Sequence, residues 1–158
     1  LGGALGSCSS LNSLCFSGCE FGDDKIEKFA ESFASSRYLA RGVSLSVMYF
    51  AECSLTDASL PSIEKLMLCG IRSSVSKDTS EGVSEGVSED IADDVSEIAS
   101  LSLRSNVLSI ASATRICSIC SPKMTRVNLS QNKIYGCAAR KVRKIFHKKG
   151  CPKDGIEV

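Results

Sequence analysis

Residues 11–21, LNSLCFSGCEF, place apolar side chains at Leu11, Leu14, Phe16, Cys19 and Phe21. Their steps of three, two, three and two fit neither the 3.6-residue period of a helix nor the strict alternation of a strand. The rhythm returns. Residues 45–55 carry it on Leu45, Met48, Phe50, Cys53 and Leu55, and residues 98–108 on Ile98, Leu101, Leu103, Asn106 and Leu108. Residues 124–134 repeat it on Met124, Val127, Leu129, Asn132 and Ile134. An eroded copy at 63–73, IEKLMLCGIRS, keeps Ile63, Leu66 and Leu68 and lacks the Asn or Cys. Such recurrence marks a stacked repeat, in which no unit buries its apolar face alone.

Each copy predicts a short strand at its centre, with Leu14 and Phe16 pointing inward at two-residue spacing. The alternate positions then face outward: Ser13, Cys15 and Ser17; Val47, Tyr49 and Ala51; Ser100, Ser102 and Arg104; Arg126, Asn128 and Ser130. The eroded copy adds Lys65, Met67 and Cys69 to that surface. Between copies the period changes. DDKIEKFAESFA puts Ile26, Phe29, Ala30 and Phe33 on one helical stripe, with Asp23 or Asp24 at its start. CAARKVRKIFHKK does the same with Ala138, Val142, Ile145 and Phe146, which predicts a basic capping helix over about 136–149. Residues 72–97 break the pattern with Ser, Gly and acidic residues, an irregular insertion that regains helical character from about residue 89 to 99, where glycines stop.

At the residues of the repeated rhythm the chain resembles leucine-rich repeat proteins, whose motif is L-x-x-L-x-L-x-x-N/C-x-L. The helical segments after the motif are similar to those of the ribonuclease-inhibitor-like subtype. The resemblance covers most of the chain and implies one α/β leucine-rich repeat solenoid over residues 1–158. Short parallel strands would line the concave face of a horseshoe and helices the convex face. It departs from the family in its unequal intervals, its eroded third copy and the acidic insertion that follows. Asn106 and Asn132 are expected to bond backbone groups where the chain turns off the strand, with the thiols of Cys19 and Cys53 doing so more weakly. LGGALGSCSS reads as the tail of a preceding helix with Leu1 and Leu5 facing inward, so the chain reads as the C-terminal part of a longer array. Leu1, Leu5, Leu11 and Leu14 would then form an open N-terminal edge suited to self-association.

Composition narrows the function classes. The net charge of +1 favours neither nucleic acid nor an anionic membrane, and no apolar run reaches the roughly 20 residues of a membrane span. Nine cysteines is an odd number, and several occupy apolar positions, which reads as reduced thiols in an intracellular, cytoplasmic protein. Cys117 and Cys120 form a CxxC pair that zinc could use with Cys137, His147 or Cys151, but their helical spacing with Ile110 and Ala113 places them in a core. His147 stands among lysines on what reads as a solvated face. No phosphate loop, G-x-S-x-G or H-E-x-x-H is present, so no catalytic residue, cofactor, metal or small-molecule substrate is assigned. The cluster of Arg140, Lys141, Arg143, Lys144, Lys148 and Lys149 reads as the polar outer face of a terminal cap.

The resemblance therefore implies a non-catalytic module that binds a protein partner through the concave face. The candidate contact residues are Tyr49, Lys65, Met67, Arg104, Arg126 and Asn128. Regulation of a GTPase, a zinc-stabilised structural module and a decayed fragment are the alternative readings.

Overall fold

The copies at 45–55, 98–108 and 124–134 bury every position of the rhythm, from Met48 at 0% exposure to Asn106 and Ile134 at 6%. In the computed structural model the described residues are 1–8, 10–37, 45–68 and 98–158. The expected insertion over 72–97, its helix from residue 89 and Cys69 lie outside them. Ile98 and Ala99, the end of that expected helix, run without helical structure into a strand.

The architecture is mixed helix and strand, of the α/β kind. Five strands, β1 (Ser13–Cys15), β2 (Val47–Tyr49), β3 (Ser100–Ser102), β4 (Arg126–Asn128) and β5 (Ile156–Glu157), form one sheet in chain order. Every pairing is parallel, and the inward residues Leu14, Met48, Leu101, Val127 and Ile156 stand in one row. Parallel neighbours need a crossover, and the crossovers carry helices α2 (Gly22–Arg37), α3 (Leu60–Leu68), α4 (Ile110–Ser118) and α5 (Cys137–Lys148), with the short α1 (Gly2–Gly6) before β1. The helices pack in the same order, α1 on α2, α2 on α3, α3 on α4 and α4 on α5. The core lies between them and one face of the sheet. No described helix is long and apolar enough to cross a membrane.

The helical stripes fall where their periodicity puts them. Ile26, Ala30 and Phe33 are fully buried on α2, and Phe29 stacks with Phe33 at 5.5 Å. Phe16, Phe21 and Phe50 join that cluster with ring centroids 4.9–6.1 Å apart. On α5 the buried residues are Ala139, Val142 and Phe146, while Ala138 and Ile145 are partly covered. The N-terminal edge differs from expectation. Leu14 is buried and Leu5 and Leu11 pack partly on the core, but Leu1 is 78% exposed. The inward role belongs to Gly2, where a Cβ would come within 2.7 Å of the Phe29 carbonyl oxygen, so only glycine lets α1 approach α2.

One hydrogen-bond pattern joins the units. Asn106 Oδ1 accepts from the backbone N–H groups of Cys53 (3.2 Å) and Leu55 (2.9 Å), and its Nδ2 donates to the carbonyls of Phe50 (2.8 Å) and Leu103 (3.0 Å). Asn132 reproduces this one strand later, accepting from Leu108 N–H at 3.0 Å and donating to Leu103 (2.8 Å) and Leu129 (2.9 Å). Cys53 takes the same place with a thiol, donating to the Phe16 carbonyl at 3.1 Å. Burial pushes the Cys53 thiol pKa up, so it stays a donor. Cys19, at the sheet edge, is exposed. The residue before each of these four, Gly18, Glu52, Ser105 and Gln131, has φ between 56° and 76°. For the three that carry a side chain this left-handed turn costs about 1–2 kcal/mol, which the buried bonds around it outweigh.

A second link runs between helix starts. The Asp57 carboxylate, in a 3₁₀ turn before α3, accepts from Ser109 N–H at 2.8 Å and Ser112 Oγ at 2.6 Å, tying that turn to the first turn of α4. Hydrogen bonds to the ionised form, the Ser109 amide first and the Ser112 hydroxyl next, hold Asp57 below the usual carboxylate range. A lowered folded-state pKa contributes stability that is present above the ordinary value, near 4, and lost as pH falls through the lowered one. In urea titrations across about pH 5 to 2, Asp57→Asn should therefore lose less stability on acidification than the parent. Equal losses would show that the two bonds carry no charge-dependent energy.

Candidate functional site

The face of the sheet turned away from the helices carries the outward positions in two ladder rows. One row is Ser13, Val47, Ser100 and Arg126; the other is Cys15, Tyr49, Ser102, Asn128 and Glu157. Small residues on β3 leave a depression between the larger side chains of β2 and β4. A hollow of about 260 Å³ opens there, bounded by Ser17, Tyr49, Ser100, Ser102, Arg126 and Asn128. Tyr49 is half-buried and its hydroxyl lies 3.3 Å from Ser100 Oγ, so the ring leans over β3 and forms one wall.

The opposite wall is held by a residue the sequence reading did not select. Glu157 on β5 accepts from Arg126 Nη2 at 2.8 Å through Oε1 and from Asn128 Nδ2 at 2.5 Å through Oε2. Asn128 Oδ1 accepts from the backbone N–H (3.0 Å) and hydroxyl (2.7 Å) of Ser130. Arg104 Nε donates to Gln131 Oε1 at 3.0 Å, an oxygen that also accepts from Ser105 Oγ. The charge of Arg126 is thus locally neutralised, because Glu157 sits in register beside Asn128. Little in the sequence flagged β5. Only Ile156 and Val158 hint at alternation, too few positions for the repeat to be recognised.

Three of the six selected residues, Tyr49, Arg126 and Asn128, lie on this face; Arg104 is exposed in the turn that follows β3, and Lys65 and Met67 lie elsewhere. Residues 60–68 form a helix rather than a strand, and Met67 is 1% exposed in the core beside Ile63 and Leu66. Ile63, Leu66 and Met67 repeat at helical steps, and Thr56 and Pro61 are helix-start residues, so the helical period overrides the eroded motif. Lys65 sits on the exposed side of α3 with Nζ 4.0 Å from Glu31 Oε1 of α2.

The other candidate chemistry resolves into packing. Cys117, Cys120 and Cys151 are buried, Cys120 donating to the Ile116 carbonyl at 3.3 Å and Cys151 to the Ser121 carbonyl at 3.1 Å. The hydrogen-bonded thiol of Cys117, and then burial, push the Cys120 pKa up; burial does the same for Cys151. Raised values keep the Cys120 and Cys151 groups as neutral thiols in this packing. Among the described residues no group of three or more His, Cys, Asp and Glu is placed to hold a metal ion. His147 is half-buried rather than solvated, with its ring edge-on to Phe146 at 6.1 Å and its Nδ1 enclosed.

Compared with protein-family models, curated proteins and solved structures, the chain matches none.

Proposed function

We propose that the chain is a leucine-rich repeat solenoid that binds a protein partner, without catalysis, through the concave face of its strands. The observation that carries the reading is the repeated buried bond made by Cys53, Asn106 and Asn132, each reaching back to the preceding unit at the same motif position. Elements that contact their chain neighbours in order are the packing such an array requires. Binding is assigned to the strand face because its side chains project from a backbone fixed on both sides. Tyr49 and Arg126 are also residue types that concentrate interface energy.

The test uses a partner captured on the immobilised chain and then purified. Tyr49→Ala and Arg126→Ala should each weaken that complex by about 2 kcal/mol, read by calorimetry. A complex that keeps its full affinity in both variants assigns binding to another surface.

A further inference from the structure

The net charge of +1 hides a division along the chain. Residues 98–158 contain twelve Lys and Arg against two carboxylates, Asp154 and Glu157. Among the described residues Arg115 is balanced by Glu64 at 2.6 Å and Arg126 by Glu157. The densest group of the others is on α5. Because the helix buries Ala139, Val142 and Phe146, it leaves Arg140, Lys141, Arg143, Lys144 and Lys148 exposed on its other side. Among the described residues no Asp or Glu side chain pairs with any of the five. Arg143 donates to a backbone oxygen of Val158 at 3.1 Å. Arg140, Lys144 and Lys148, four residues apart, stand in one line with about 6 Å between successive members.

An exposed aromatic residue immediately precedes α5. Tyr135 is 74% exposed, and its carbonyl accepts from Ala138 N–H at 3.1 Å, which ties its backbone to the first turn of α5. Like charges four residues apart repel, so the face gains most from a ligand that brings a row of negative charges. We propose that α5 and Tyr135 bind single-stranded nucleic acid, with the cations following the phosphates and a base stacked on Tyr135. An anionic membrane is the poorer fit. The apolar side of α5 is committed to the core and unavailable to lipid, whereas a helix that lies in a bilayer surface needs it.

The experiment is fluorescence anisotropy of a labelled oligothymidine of roughly twenty nucleotides with the full chain. Engaging about four phosphates implies an affinity that falls roughly 50-fold between about 50 and 200 mM salt. R140E/K144E/K148E should weaken binding by about 100-fold or more, and Tyr135→Ala by about tenfold without changing the salt slope, since stacking releases no counterions. K28E, a charge reversal on the exposed side of α2, should leave the affinity within about twofold, and circular dichroism confirms that each variant is folded. Absence of oligothymidine binding by the parent chain would overturn the proposal. So would an unchanged affinity in Tyr135→Ala, or sedimentation with phosphatidylserine vesicles at salt where the oligonucleotide does not bind.

Discussion

Asn106→Ala should remove about 4 kcal/mol of stability, measured by urea unfolding. The side chain is 6% exposed and serves backbone groups on two neighbouring units. Its loss strands the N–H groups of Cys53 and Leu55 and the carbonyls of Phe50 and Leu103. Each buried group left without a partner costs about 1–3 kcal/mol. Water entering the space left by the amide returns part of that, so the total stays below the sum. Alanine also adds a cavity in contact with Leu55 and Leu103, neither of which is exposed. Asn106→Asp is the informative companion: it keeps the acceptor for both N–H groups and removes the donor for both carbonyls, so it should be destabilising too. A loss below about 1 kcal/mol for the alanine variant would mean that the turn closes equally well without the amide.

Gly155→Ala should free the last strand and cost about 3 kcal/mol. A Cβ at this position would lie 2.4 Å from the Thr125 carbonyl oxygen and 3.3 Å from Cε1 of Phe146. One neighbour is backbone of the preceding strand's entry and the other a fully buried ring, so neither yields cheaply. Displacing residue 155 breaks the bond from Val127 N–H to its carbonyl (2.6 Å), and with it the bond from Leu129 N–H to Glu157 (2.7 Å). Hydrogen exchange should report both amides as early losses, ahead of Met48 and Leu101 deeper in the sheet. A functional effect accompanies the structural one. With Glu157 withdrawn, Arg126 and Asn128 lose their carboxylate, and the strand face becomes more positive. Protection of Val127 and Leu129 equal to that of the parent would show that β5 tolerates the methyl group.

How much of the candidate site was legible varies by residue, and the variation has a cause. Tyr49, Arg126 and Asn128 fall on the open face of the sheet because a strand of known register sends alternate side chains to opposite faces. That inference needs only local order. Lys65 and Met67 were misplaced because IEKLML satisfies two periods at once over a few residues. The decision between them rests on tertiary packing. As a helix, the segment buries Ile63, Leu66 and Met67 together, whereas a strand would have turned Met67 to the open face. Glu157 was missed because its importance is a matter of register across the sheet, which pairs it with Asn128 from 29 positions away in the chain.

What the sequence determined by itself is everything carried by period. The rhythm of Leu45, Met48 and Phe50, and its later copies, marks which side chains are inward, and the stripes on α2 and α5 do the same for helices. Burial of a patterned face is favourable in any arrangement that covers it, so these assignments do not depend on the final topology. The tertiary structure decided what depends on neighbours distant in sequence. It made Asn106 a link between two units, turned Arg126 from a free cation into half of an ion pair, and left the cations of α5 without an Asp or Glu partner among the described residues. Ion pairs and buried hydrogen bonds act over a few ångströms between groups that only the fold brings together. The charge count was visible from the start, but the net value averaged two opposed halves, and only the packing of α5 showed where one of them is exposed.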